Sequence, residues 1–238
     1  MEKTKTYIEG LDELIEDGLV KNSVILLAGK TGTGKTSFSM SYIYNGAKNN
    51  EPSIYVSTEE NEEDIKCDAK ETFGWDLEEL ESKNMLRIKT IKPEFPTQIV
   101  KEDEARIVKL YIYDLMDQIS NCIKEINGVR VVIDSTSILE LLIRDKYLAR
   151  VAMMYLIDNL KKSNVTSILT GTIPEDSNKL SSSGIIEYLV DGIIKLDFVP
   201  IAEEYKRTLT IRKMRRVNHS TLIHPFEISK GGIKILKI

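Results

Sequence analysis

Residues 23–46 read SVILLAGKTGTGKTSFSMSYIYNG. Val24 to Ala28 is an unbroken apolar run, the pattern of a strand buried on both faces. Gly29 to Thr36 then matches GxxxxGK[ST] at every fixed position, and Phe38, Ile43 and Ala47 follow within helical turns. Strand, glycine loop and helix in that order form a phosphate-binding loop. Gly29, Gly32 and Gly34 let the backbone turn tightly so that its N–H groups face an anion, Lys35 adds a cation for the β- and γ-phosphates, and the Thr36 hydroxyl suits Mg²⁺. The nucleotide-binding set read from this stretch is Gly29, Thr31, Gly32, Thr33, Gly34, Lys35, Thr36 and Ser37. An ordinary strand-turn-helix would need neither Lys35 nor three glycines.

The chain of 238 residues is long enough for one α/β domain with a sizeable core, and one domain over 1–238 is the simplest expectation. A net charge of −4 argues against a broad basic surface for nucleic acid. Cys67 and Cys122 stand far apart without CxxC spacing, so neither a disulfide framework nor a zinc site is expected. No apolar run reaches the ~20 residues of a membrane helix, and no apolar leader opens the sequence, which together lead us to expect a cytoplasmic location.

Working outward, Tyr7 to Leu14 reads as a short extended piece turning into a helix that Gly18 stops. Strands are expected at Ile54–Ser57, Met85–Ile88, Arg130–Ser135 and Val165–Thr172, and helices at Asn61–Phe73, Val108–Ile123 and Leu148–Lys162. Lys89 to Glu104, with Pro93 and Pro96 among charges, reads as a surface loop. The alternation calls for a mostly parallel sheet covered on both faces. From Gly192 onward, Ile193–Phe198, Leu209–Met214, Pro225–Ile228 and Ile233–Ile238 look like shorter strands in an antiparallel or mixed extension, with Gly231-Gly232 as a hairpin turn.

Hydrolysis needs more than a phosphate loop: an acid that organises the metal and a group that activates water. Asp134, carried to a strand end by Val131-Val132-Ile133, is the candidate metal acid beside Thr36; a helix N-cap is the competing reading. Glu59 and Glu60 end the strand after the phosphate-loop helix and are the candidates for water activation. Neighbours on an extended chain point to opposite sides, so Glu59 is placed first and Glu60 is weighed equally as a helix cap. Thr170 and Thr172 could sense the γ-phosphate, although β-branched strand formers are the plainer reading.

With these parts in order, the chain resembles the RecA superfamily, and most closely single-domain proteins similar to the circadian-clock ATPase KaiC. The stretches that carry it are GLDELIEDGLVKNSVILLAGKTGTGKTSFSMSYIYNGA, IYVSTEENEEDI, VVIDSTSIL, GIIEYLVDGIIKL from Gly184, and RTLTIRKMRRVNHSTLIHPFEISKGGIKI. The resemblance implies a RecA-like P-loop NTPase fold, ATP and Mg²⁺ as cofactors, slow ATP hydrolysis, and a homo-oligomeric, hexameric ring with ATP between subunits. Within that family a Lys-x-Arg pair reaches the neighbour's ATP, which here implies catalytic roles for Lys213 and Arg215. Departures are Gly18 alone of the usual glycine run, Val20 where proline is common, and Arg216 where glycine follows the Lys-x-Arg pair. Glu187-Tyr188 replace the Ser-Thr pair of the phosphorylated half, so a clock role does not follow. Two further readings are a nucleotide-gated module for a regulatory protein partner, of signalling or archaeal motility type, and a recombination accessory protein. The last is disfavoured because residues 173–179 hold two acids, one lysine and no aromatic.

Overall fold

The computed structural model describes residues 1–92, 101–137, 139, 143, 145–177, 179–182, 184–201 and 203–236. Part of the expected proline loop, Asn178 and the last two residues of the expected final strand lie outside the described residues. Among the described residues, one sheet of nine strands organises the fold. Its strands are β3 (Val24–Gly29), β4 (Ser53–Ser57), β5 (Leu86–Thr90), β6 (Arg130–Asp134), β7 (Thr166–Thr172), β8 (Gly192–Ile201), β9 (Glu204–Met214), β10 (His224–Ser229) and β11 (Gly232–Ile235). They lie in the order β11-β10-β9-β8-β3-β7-β6-β4-β5, parallel from β5 to β8 and antiparallel from β8 to β11. A separate pair, β1 (Lys3–Thr4) with β2 (Leu19–Val20), ties the N-terminal segment together.

Alternation along the strands divides the core between the two faces. Ile25, Leu27, Tyr55, Val132 and Ile168 pack with Phe38, Tyr42 and Ile43 of α1 (Lys35–Lys48) and with residues of α2 (Glu62–Phe73) and α3 (Leu77–Ser82). Val24, Leu26, Val56, Ile133 and Leu169 pack on the other side, with α4 (Lys101–Ile126) and α5 (Lys146–Lys162). A strand clad on both faces has to be apolar throughout, which is why β3 is buried over its whole length.

Three expectations need correction, and one expected residue has an unexpected setting. The N-terminal helix is only a 3-10 turn, Asp12–Ile15, because the Asp12 carboxylate takes the Thr6 and Tyr7 amides at 2.8 and 3.1 Å and folds the segment back on itself; Glu16 at φ 53° ends it before Gly18. Lys101–Glu104 belongs to α4 rather than to a loop. β8 and β9 run to 10 and 11 residues and are not short, since beyond Leu196, where the pairing with β3 ends, they go on pairing with each other as far as Ile201 and Glu204. Arg130, read as the first residue of a strand, is completely buried: its guanidinium pairs with Glu51, donates to the Lys5 and Tyr42 carbonyls, and lies 4.6 Å from the Tyr42 ring centre. Gly46 makes room for it, because a Cβ there would sit 2.5 Å from Arg130 Cδ.

Candidate nucleotide site

β3, β4 and β6 all end at one edge of the sheet, the crevice side where open parallel sheets hold ligands. The loop from Gly29 leads directly into α1, whose N-cap Gly34 has φ 101°, and Gly32 has φ 79°. Both values lie where side-chain-bearing residues are strained. Gly29 serves by size instead of by a positive φ: a Cβ there would come within 2.5 Å of Thr33 Oγ1. Lys35 Nζ donates to the Gly29 and Lys30 carbonyls, each at 2.9 Å, so the ammonium lies over the loop. Burial lowers its pKa, while the nearby Asp134 and Glu59 carboxylates favour the charged form. The Thr33 hydroxyl is engaged inside the loop, donating to the Lys30 carbonyl at 2.8 Å. Thr31 is exposed, and Ser37 lines a small cavity of about 110 Å³ with Thr36 and Glu60.

Asp134 is the hub. Thr36 Oγ1 donates to its Oδ2 at 2.9 Å, the Tyr55 hydroxyl donates to the same oxygen at 2.6 Å, and Thr170 Oγ1 donates to Oδ1 at 2.6 Å. These partners are side chains from α1, β4 and β7, so the carboxylate is not acting as a helix cap. Thr170 therefore does more than form strand, while the Thr172 amide is held by Ser137 Oγ at 2.7 Å. Burial, reinforced by Asp134, holds the Tyr55 phenol well above its ordinary pKa.

Glu59 Oε1 accepts from Ser135 Oγ at 2.7 Å, which ties it to the residue after Asp134. Thr58 locks the same two strand ends, with Oγ1 donating to the Ser135 carbonyl at 2.8 Å and its amide donating to the Asp134 carbonyl at 2.9 Å. Ser57 Oγ receives the Glu59 and Glu60 amides at 3.3 and 2.8 Å. Glu60 does not cap α2: the N-cap is Asn61, without a side-chain capping bond. Instead Glu60 faces the α1–α2 cavity, where burial, then Asp134 and Asp68, raise its pKa.

Oxygen donors alone, the Thr36 hydroxyl and Asp134 carboxylate, suit Mg²⁺ held mainly by phosphates. Among the described residues no cluster of three His, Cys, Asp or Glu side chains that could hold a metal ion is found.

Lys213 and Arg215 lie elsewhere. Lys213 Nζ donates to the Val190 and Glu187 carbonyls at 2.6 and 3.2 Å, at the end of α6 (Ile186–Leu189). Arg215 lies 3.9 Å from Asp191, whose carboxylate also receives the Val24 amide at 3.1 Å. Val24 opens β3 and Gly29 closes it, so the pair sits a strand length, about 16 Å, from the loop of its own chain. Arg216, where the resembled family has glycine, adopts φ 63°, the left-handed backbone that explains the glycine elsewhere.

Sequence reasoning missed Tyr55, Thr170 and Ser135 as a network. The available signal was Tyr55 itself: a tyrosine in a buried strand needs a partner for its hydroxyl.

A family model described as ATPase: KaiC matches residues 4–238. A UPF0273 protein of Pyrococcus horikoshii is 36% identical over 246 residues, covering 99% of this chain and 96% of that one. The circadian clock oscillator protein KaiC of Prochlorococcus marinus is 32% identical over 239 residues, covering 100% of this chain but 46% of its own length. Among solved structures, the KaiC-like protein PH0186 of Pyrococcus horikoshii superposes with a TM-score of 0.85 at 34% identity, covering 99% of both chains.

Proposed function

Because the chain belongs to the KaiC-like ATPase family and has its RecA-like fold, we propose that it binds ATP with Mg²⁺ at Gly29–Thr36, hydrolyses it slowly, and assembles into a hexameric ring whose sites lie between subunits. The observation that carries this reading is the convergence of Lys35, Thr36, Asp134 and Glu59 at one end of the sheet, where Thr36 donates to Asp134 at 2.9 Å and the Asp134 and Glu59 carboxylates lie close enough to favour the charged form of Lys35.

The loop amides and Lys35 would hold the phosphates. Thr36 and Asp134 would hold Mg²⁺, which offsets phosphate charge. Glu59 would take a proton from water as its oxygen bonds to the γ-phosphorus; the bond from that phosphorus to the β–γ bridging oxygen breaks, giving ADP and inorganic phosphate. The Ser135 hydroxyl donates to one oxygen of the Glu59 carboxylate at 2.7 Å and restrains the side chain's approach to water, which supports slow turnover.

Lys213 and Arg215 would stabilise charge at a neighbour's site, a role supported by their distance from their own loop. We place the protein in the cytoplasm; among the described residues no helix is long and apolar enough to cross a membrane. The regulatory-module reading draws on the same Ser135 contact, since a restrained base suits a switch as well as an engine.

Phosphate release measured beside ATP affinity separates the two. Lys35→Ala should lose both, and Glu59→Gln should keep affinity while losing at least about 100-fold in turnover. Wild type that binds ATP without releasing phosphate would leave the switch. A Lys35→Ala protein with normal binding and turnover would refute the site.

A further inference from the structure

The Asp134 carboxylate has about four lone-pair positions, and among the described residues three side chains each take up one. Thr36 and Tyr55 share Oδ2, and Thr170 takes one position on Oδ1. Thr36 and Thr170 are expected neighbours: one opens α1 from the phosphate loop and the other ends the adjacent strand. Tyr55 is different. It stands two residues before the end of β4, level with Val132, and its ring runs along the α1 face of the sheet toward Asp134. It is 1% exposed, so its hydroxyl must be satisfied inside the protein. Phenylalanine would fill the same apolar space without that demand.

We propose that Tyr55 is a positioning residue: its hydroxyl fixes the rotation of the Asp134 carboxylate, keeping Oδ2 turned toward Thr36 and one position on Oδ1 open for the metal-bound state, and so sets the strength of Mg²⁺-linked ATP binding. This rests on the Mg²⁺–ATP reading above. Groups that orient a metal-organising side chain contribute through the metal, and their loss costs about 10- to 100-fold in metal affinity or activity. A tyrosine serving only packing would affect stability and leave the metal linkage untouched.

The test is ATP affinity of the full chain, by fluorescence of a labelled ATP or by calorimetry, with Mg²⁺ and in EDTA. Tyr55→Phe should bind ATP in EDTA within about twofold of wild type and lose about tenfold of the gain that Mg²⁺ confers. In an Asp134→Asn background the same change should have no further effect on that gain, since residues acting through one another are non-additive.

Tyr42→Phe is the control for burial alone. Tyr42 is also fully buried, and its hydroxyl donates to the Thr166 carbonyl at 3.2 Å, away from Asp134. It should keep the full Mg²⁺ gain even where its melting temperature falls. The proposal is overturned if Tyr55→Phe keeps the full gain, if it loses affinity equally with and without Mg²⁺, or if Tyr42→Phe loses as much. A wild-type protein that binds ATP no better with Mg²⁺ would instead overturn the underlying metal reading, and the role of Tyr55 with it.

Discussion

Glu60 is held among acids, and that gives the site a pH signature. Burial and the Asp134 and Asp68 carboxylates raise its folded pKa above the ordinary glutamate value. The folded state then binds its proton more tightly than the unfolded state, so the group lowers stability as pH climbs from the ordinary value through the raised one. The penalty is complete above that window. Glu60→Gln should melt higher than wild type at pH 7 and equally at about pH 3.5, below the ordinary carboxylate range. A gain that persists unchanged at the acid end would remove Glu60 ionisation as the cause.

At this scale the legible residues were those whose meaning is local. Gly32, Gly34, Lys35 and Thr36 fall within one five-residue stretch, and Asp134 announces itself by ending an apolar run. Tyr55, Thr170 and Ser135 work through partners 79, 36 and 76 residues away, on other elements. Only the sheet order brings them together.

At the scale of elements, the parallel strands follow from unbroken apolar runs and the amphipathic helices from apolar residues three and four apart, and most boundaries move by a few residues, the start of α4 by seven. What spacing could not give was the joint at Arg130. Its guanidinium sits between β6, the end of α1 and the N-terminal segment, and pairs with Glu51. An arginine at a strand start looks like a surface charge until the elements above it are in place. Removing one partner of a buried ion pair strands the other, which costs about 3–5 kcal/mol. Glu51→Ala should therefore lower stability by about 3 kcal/mol in a denaturant titration, or about 6–12 °C in melting temperature for a chain of this size, with no change in the ATP site. A loss under about 0.5 kcal/mol, the range of ordinary surface changes, would show that Arg130 finds other compensation.

Over the whole molecule, the candidate groups gather at two opposite ends of the parallel strands. The crevice edge holds the phosphate loop, and the opposite end holds Lys213 and Arg215, near the start of β3. No rotamer of a lysine or arginine spans that separation within one chain. In the proposed ring, the same polarity would let one subunit's basic end face the next subunit's crevice, a head-to-tail contact of the kind that closes rings. Resemblance named this pair in the sequence; β8 and β9 explain its place, since β9 returns antiparallel and delivers its last residues beside Gly192 and Ile193.

The most direct measurement of the proposed shared site is complementation. Lys35→Ala and Arg215→Ala chains are each purified, shown to lack turnover, then dissociated and reassembled together with ATP and Mg²⁺. Random mixing in a ring joins an intact loop to an intact neighbouring arginine at about a quarter of the sites. The account predicts that the mixture regains phosphate release at about a quarter of the wild-type rate. A mixture that forms mixed rings yet stays as inactive as its components would contradict it.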